Sequence, residues 1–264
     1  MKMKLEAIRE YWQAQAVEHG VRPDASWTDV HAIELEIAEI MKWLANGMRV
    51  IDIGCANGFS TVQYAARHEV EIKGVDYIPE MIAAANARLD DPSLHLKGSI
   101  RFQTGDIMRL EDESDSYDVA IVTRVIINLG DVERQKAAIR EAARVVKPGG
   151  TLLLSEATRE GWSRLNAFRA EWGLDPIPEP SFNLYITEEL VRSAAPDLLE
   201  LREVSNFAST YFLGTRVLKP LLARASAPGV DVASPRMEWN RFFAALPAAA
   251  DYGTQKLFVL RRRS

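Results

Sequence analysis

Met48-Arg49-Val50-Ile51-Asp52-Ile53-Gly54 is a short β-branched run that stops at a glycine, and Cys55-Ala56-Asn57-Gly58 leads from it into the helical stretch Phe59 to Arg67. Strand, tight turn and helix follow one another directly. The rhythm then continues as strand Val70 to Asp76, helix Pro79 to Leu89, strand Ser99 to Thr104, strand Tyr117 to Thr123, helix Asp131 to Val146 and strand Thr151 to Ser155. Pro79 falls in a first helical turn, where a missing N–H costs little. Alternating units of this length predict an α/β fold, a mostly parallel sheet with helices on both faces. Ile121-Val122 and Leu152-Leu153-Leu154 are unbroken apolar runs, as expected of strands buried on both faces.

Upstream, Leu5, Ile8, Trp12 and Ala16 give one apolar stripe over Lys2 to Val17, and Ile33, Ile37, Ile40 and Trp43 give another over Asp29 to Leu44, with a loop from Gly20 to Ser26 between them. Downstream the rhythm changes. A helix is expected near Arg164 to Trp172, a proline-rich stretch follows at Asp175 to Pro180, and Thr187-Glu188-Glu189 opens another helix with acids at its positive end. Leu198 to Val204 and Lys256 to Leu260 read as closing strands around an Ala-rich helical insertion at about Tyr211 to Ala250. Neither an internal repeat nor a flexible linker is evident. The expected organisation is one domain over 1–264: a helical cap (1–46), a ligand-binding core (47–157), and pocket insertions with closing strands (158–264).

The 264 residues are 47% hydrophobic and 26% charged, an ordinary globular composition. A net charge of −5 built from both signs offers no broad positive field for nucleic acid. Arg261 to Arg263 read as a solvated tail, with a binding patch as the alternative. Met1-Lys2-Met3-Lys4 lacks the apolar stretch of a signal peptide, and the best apolar run, Val119 to Ile127, is interrupted by Arg124. With the single cysteine, Cys55, these features predict a cytoplasmic protein without a disulfide framework or a membrane partner.

Ligands of open α/β sheets bind at the carboxyl ends of the strands. There, Gly54, Ala56 and Gly58 let backbone N–H groups approach a ligand closely, although a plain glycine-rich turn would read the same. Asp76 ends the second strand at an offset suited to a ribose diol, and Asp106 ends the third strand before Ile107. Each alone reads equally as a solvated acid. Together they place three acids, counting Asp52, at one edge.

The run Val50 to Gly58, then Gly74-Val75-Asp76, Gly105-Asp106 and Arg144-Val145-Val146-Lys147-Pro148-Gly149-Gly150-Thr151-Leu152, resembles in order and spacing the motifs of class I S-adenosylmethionine-dependent methyltransferases. The resemblance covers about 46–157. It implies a Rossmann-like seven-stranded sheet whose last strand is antiparallel, and S-adenosylmethionine as cofactor. It also implies that Asp52, Gly54, Asn57 and Gly58 surround the methionine part, that Asp76 holds the ribose, and that Asp106 and Ile107 receive the adenine with Tyr77 packed on it. Ala56 stands where the family most often has glycine. Cys55 is read as a packing residue in this loop.

After the fourth strand comes Thr123-Arg124-Val125-Ile126-Ile127-Asn128-Leu129, without the Asn-Pro-Pro-Tyr of amino-methylating nucleic-acid enzymes. The acidic pair that holds magnesium in catechol-type enzymes is also missing, so a metal-independent small-molecule enzyme is expected. Thr123 and Arg124 are candidates for the cofactor or an acidic substrate; Arg124 reads equally as a loop arginine paired with Asp118 or Asp131. Glu156 ends the fifth strand and is the first candidate for a general base, with His31 as a second. Tyr11, Trp27, Asn128, Asn183, Tyr185 and Tyr211 are candidates for the acceptor pocket, although aromatic side chains in such helices more often fill a core. Phe207 to Arg216 and Asn183 to Ile186 look like methyltransferases of polysaccharide and natural-product biosynthesis. The expected reaction is methylation of oxygen on a sugar-like or other polar metabolite, with nitrogen or carbon as alternatives and a homodimer left open. A short-chain NAD-dependent oxidoreductase is the rival enzyme. Its Tyr-x-x-x-Lys occurs only at Tyr252 to Lys256, which leads into the last strand. A non-catalytic binding module on the same fold is the third reading.

Overall fold

The computed structural model describes residues 3–226, 229 and 232–264. The start of the first predicted helix at Lys2 and four positions of the predicted 211–250 insertion lie outside these. Helices α1 (Leu5–His19) and α2 (Val30–Met41) precede β1 (Arg49–Ile53), α3 (Phe59–Arg67), β2 (Glu71–Asp76), α4 (Pro79–Leu89), β3 (Ser99–Thr104), β4 (Tyr117–Thr123), α5 (Val132–Val145) and β5 (Val146–Ala157). Then come α6 (Arg159–Glu171), α7 (Glu188–Ala194), β6 (Leu199–Ser205), α8 (Ser209–Leu213), a π-helical turn (Gly214–Leu218), α9 (Lys219–Ser226), α10 (Glu238–Ala244) and β7 (Gln255–Arg262).

The strands form one seven-stranded sheet in the order β3-β2-β1-β4-β5-β7-β6, in which β7 alone runs against its neighbours. Alternation along each strand feeds two cores. Ile51, Ile53, Val122, Leu152, Leu154 and Phe258 pack under α5 and α7, whereas Val50, Ile121, Leu153 and Val259 pack under α2, α3 and α8. The order reverses at β1 and β4, so the loops after these strands splay apart and leave the crevice in which such sheets hold ligands.

Several predicted ends move, each for a local reason. Strand β5 starts at Val146 because Tyr117 pairs with Val146 and Val119 with Thr151, so that Lys147 to Gly150 bulge out between two rungs. Helix α6 starts at Arg159, where Thr158 accepts a hydrogen bond from Gly161 N–H, and Thr187 caps α7 through Leu190 N–H. Strand β7 gains length from pairing on both sides.

Tyr211 departs from expectation. Its ring is buried under α2, its hydroxyl donates to Asp29 Oδ1 at 2.6 Å and accepts from Asn240 Nδ2 at 2.8 Å. Asp29 also caps α2 through Ala32 N–H and pairs with Arg216 at 2.6 Å. This network binds the cap to the C-terminal insertion and turns Tyr211 inward. Tyr211→Phe therefore leaves the Asn240 amide without its acceptor and Asp29 Oδ1 with the Ala32 N–H alone, and urea unfolding should show a loss of about 1–3 kcal/mol.

Candidate active site

The loop between β1 and α3 is held open by crowding. Gly54 has φ 79°, and a Cβ there would lie 2.1 Å from Val125 Cγ2; Gly58 has φ 73°, and a Cβ there would lie 2.6 Å from Phe102 Cζ. Between them Ala56 takes φ 47°, a left-handed conformation that costs a non-glycine residue about 1–2 kcal/mol. One bond that helps hold it there runs from Ala56 N–H to Asp76 Oδ2 at 2.9 Å, while Asp76 Oδ1 accepts from Ile78 N–H at 2.9 Å. Asp76 is thus fixed to the loop of β1 and to the start of α4 together.

Asp52 lies beneath the same loop and accepts a 2.6 Å hydrogen bond from Thr61 Oγ1. Burial pushes the carboxyls of Asp52 and Asp76 each up to about 6. Asn57 Nδ2 donates at 2.7 Å to the carbonyls of Gly20 and Arg22, clipping the end of α1 onto the loop, and leaves Asn57 Oδ1 buried without a partner. The Cys55 thiol is buried and its pKa is raised well above the ordinary value, as befits a packing residue.

On the other side of the crevice, Asp106 Oδ1 accepts from Met108 N–H at 2.8 Å, and Ile107 is buried behind it. Arg124, with φ 55°, pairs with Glu36 and lies 5.3 Å over the Trp27 ring. The partner is therefore neither Asp118, which binds Lys147, nor Asp131, which caps α5. Glu36 is 1% exposed and accepts also from Ser155 Oγ at 2.5 Å and Gln255 Nε2 at 3.0 Å. Its signal was present in the sequence: Glu36 falls inside the apolar stripe Ile33, Ile37 and Ile40 of α2.

These elements enclose a cavity of about 600 Å³. Asp52, Gly54, Cys55, Ala56, Asn57, Asp76, Tyr77, Asp106, Ile107, Thr123 and Arg124 line it, and so do Tyr11, Trp27, Asn128, Asn183 and Tyr185. Tyr11 stacks on Phe182 at 4.6 Å with Trp12 edge-on at 5.1 Å, and Met3 N–H donates to Ser181 O at 3.0 Å, so α1 and the 180–185 segment roof the space together. Asn183 Nδ2 donates to Asn128 Oδ1 at 3.0 Å, and Asn128 Nδ2 to Arg124 O at 2.7 Å. Phe182, Gln255 and Arg134 also line the cavity; Phe182 lies outside the βα rhythm, and Arg134, although inside the predicted helix 131–146, is a polar residue whose facing the period does not mark.

Four expected site residues do not line it. Gly58 shapes the loop from behind, and His31 faces Glu34 on α2 at 3.4 Å. Tyr211 belongs to the Asp29 network. Glu156, expected as a base at the functional edge, is wholly buried: Oε1 accepts from Val125 N–H at 2.8 Å and Ile126 N–H at 2.7 Å. It carries the loop after β4 rather than facing the cavity, because it shares its strand face with Leu152 and Leu154.

Small residues at the first strand end, an acid at the second and a crevice where the sheet order reverses define a Rossmann-like nucleotide-binding site. The comparisons with known proteins name its kind. Residues 50–150 match the methyltransferase domain family. The chain is 27% identical over 244 residues to methyltransferase GfsG of Streptomyces halstedii, covering 86% of this chain and 82% of that one. It is 30% identical over 113 residues to a 27-O-demethylrifamycin SV methyltransferase of Amycolatopsis mediterranei, covering 43% of this chain and 40% of that one. In fold it is similar to the magnesium protoporphyrin IX methyltransferase of Synechocystis PCC 6803, solved with bound SAH, with a TM-score of 0.63 at 16% identity over 99% of this chain and 100% of that one. The chain thus carries a stretch that matches the methyltransferase domain family, and it shares its fold with S-adenosylmethionine-dependent methyltransferases. Among the described residues, no helix is long and apolar enough to cross a membrane.

Burial pushes Glu156 from an ordinary 4.5 up to about 8, against three backbone N–H groups that favour its charged form. Folding therefore takes up a proton. The resulting stability is complete below about pH 4.5 and is given back as pH rises through about 8. Asp52 and Asp76 act in the same direction up to about 6. Urea midpoints should fall between pH 5 and 8 in the native chain and fall less in Glu156→Gln, with a difference on the order of 2 kcal/mol. Identical slopes in the two proteins would place Glu156 as a permanent carboxylate.

Proposed function

We propose that this enzyme methylates an oxygen of a small polar molecule, with the donor held at the β1, β2 and β3 ends and the acceptor between the Asn128–Asn183 pair and the aromatic roof. One observation carries the reading: a single cavity runs from Asp52 and Asp76 to Tyr11, Asn128 and Tyr185. A volume of about 600 Å³ lies within the range of small-ligand and cofactor sites. The relatives named for O-methylation agree with it.

The residues present suit S-adenosylmethionine. Each Asp76 oxygen accepts one N–H and retains a lone pair, which leaves the carboxylate able to accept from a ribose diol. Asn57 Oδ1, buried and unpartnered, is an acceptor for an ammonium group. Asp106 N–H and carboxylate stand where an adenine edge would be read, and Tyr77 offers a ring beside them. When bound, the donor supplies an electrophilic methyl on sulfur whose leaving group needs no proton. As the O–C bond forms and the S–C bond breaks, an acceptor hydroxyl also releases its proton to solvent, and the chain's task is alignment. Glu156 sets the backbone of Val125 to Ile127, which in turn sets the Asn128 and Arg124 side chains at the crevice. Burial pushes the Tyr185 hydroxyl up to about 12, so it stays protonated and serves as a neutral hydrogen-bonding group. Arg124 is neutralised by Glu36 and orients Trp27. The organisation proposed is a helical cap, a donor-binding core and a pocket built from later segments, all in one domain.

Labelled methyl from the donor, offered to a metabolite panel, should appear as an ether or ester on a low-mass product. Label found only on nitrogen, carbon or macromolecules would exclude the oxygen reading. In calorimetry, Asp76→Ala should weaken binding of S-adenosylhomocysteine at least about tenfold, the loss of a charge-assisted hydrogen bond. Uptake of a nicotinamide dinucleotide in its place would transfer the site to the oxidoreductase class.

A further inference from the structure

Arg134 lines the cavity from the first turn of α5. Its backbone N–H is taken by the Asp131 cap at 2.9 Å, but its side chain is left over: Nε is shut off from solvent and meets no acceptor. Among the described residues no carboxylate pairs with it. The other cavity cations differ. Arg124 is neutralised by Glu36, and Arg9 is exposed on α1. Of the lining carboxylates, Asp24 is paired with Arg236, Asp52 and Asp76 are fixed under the loop, Asp106 accepts from Met108 N–H, and Glu6 is exposed.

A guanidinium has five donors and is never neutral, and the Arg134 Nε–H, shut off from water and without an acceptor, is a donor that an anion in the cavity would satisfy. Its position says which anion. Gly130, just before α5, packs beside Leu5 at the start of α1, whose Tyr11 and Trp12 form the roof with Phe182. Arg134 follows Gly130 by about one helical turn, and we read its position as the roof side of the cavity, apart from the Asp52 and Asp76 end assigned to the donor. An apolar, ring-bearing body under the aromatic roof with an acid directed at Arg134 satisfies both surfaces at once.

We propose that Arg134 binds an anionic group, a carboxylate in the first place, on a methyl acceptor whose body is apolar and ring-bearing. The assignment rests on the reading of this cavity as a methyl-transfer site. The test uses the full-length protein with and without saturating S-adenosylhomocysteine, titrated calorimetrically with 2-naphthoate and its neutral isostere 2-naphthamide. The native protein should bind the acid roughly tenfold or more tightly than the amide, the scale of a charge-assisted contact. Arg134→Gln should bind both alike while keeping its affinity for S-adenosylhomocysteine, and Arg134→Lys should keep part of the preference, since it retains the charge without the planar fork. A native protein that ignores 2-naphthoate or does not prefer it, or a preference that survives in Arg134→Gln, overturns the assignment. Failure of S-adenosylhomocysteine to bind the native protein instead removes the reading on which the assignment rests.

Discussion

Buried carboxylates that accept from backbone N–H groups and neighbouring side chains hold the working edge of this protein together. Asp76 ties the loop after β1 to the loop after β2. Glu156 ties the loop after β4 to the end of β5, and Glu36 gathers Arg124, Ser155 and Gln255 from three further elements. A carboxylate out of water is tolerated only when its oxygens are satisfied, so each of these side chains compels the loops around it into one arrangement. Loops at a sheet edge are otherwise the least constrained parts of an α/β fold. Here they are fixed from below, and the cavity they enclose has a defined shape before any ligand enters.

The rest of the chain serves that edge. Strand alternation fills two separate cores, one under α5 and α7 and one under α2, α3 and α8, which makes the sheet a rigid floor. Asn57 then joins the floor to the N-terminal helices through the Gly20 and Arg22 carbonyls, and the Tyr11–Phe182 stack joins those helices to the segment after α6. That segment is tied in turn to the loop after β4, through Asn183 Nδ2 to Asn128 Oδ1 and Leu184 N–H to Ile127 O.

The βα core was legible because hydrophobic period and turn chemistry agree there: β3, β4 and α4 start and stop where the sequence suggests. The antiparallel β7 was not legible from periodicity, since a buried strand looks alike in either direction, and it followed only from family resemblance. Strand ends likewise indicated which edge binds ligands, but not which way each side chain turns. Asp76 and Glu156 both close strands, yet one lines the cavity and the other is sealed under a loop. The two-residue alternation Leu152, Leu154, Glu156 held that information. Tyr211 and Arg134 depend on contacts between segments far apart in sequence, for which local pattern has no sign.

The bulge at Lys147 to Gly150 separates two kinds of boundary. The stretch that matches the methyltransferase domain family ends at Gly150, whereas β5 has only begun there, and its paired run from Thr151 onward supplies the flank of β4 and joins β7. Cutting the chain there would bare the β4 rim along Val119 to Thr123 and strip Glu36 of Ser155 and Gln255. The segments that flank the matched stretch are therefore structural members of the sheet and its cap, without which the matched stretch lacks one side of its own floor.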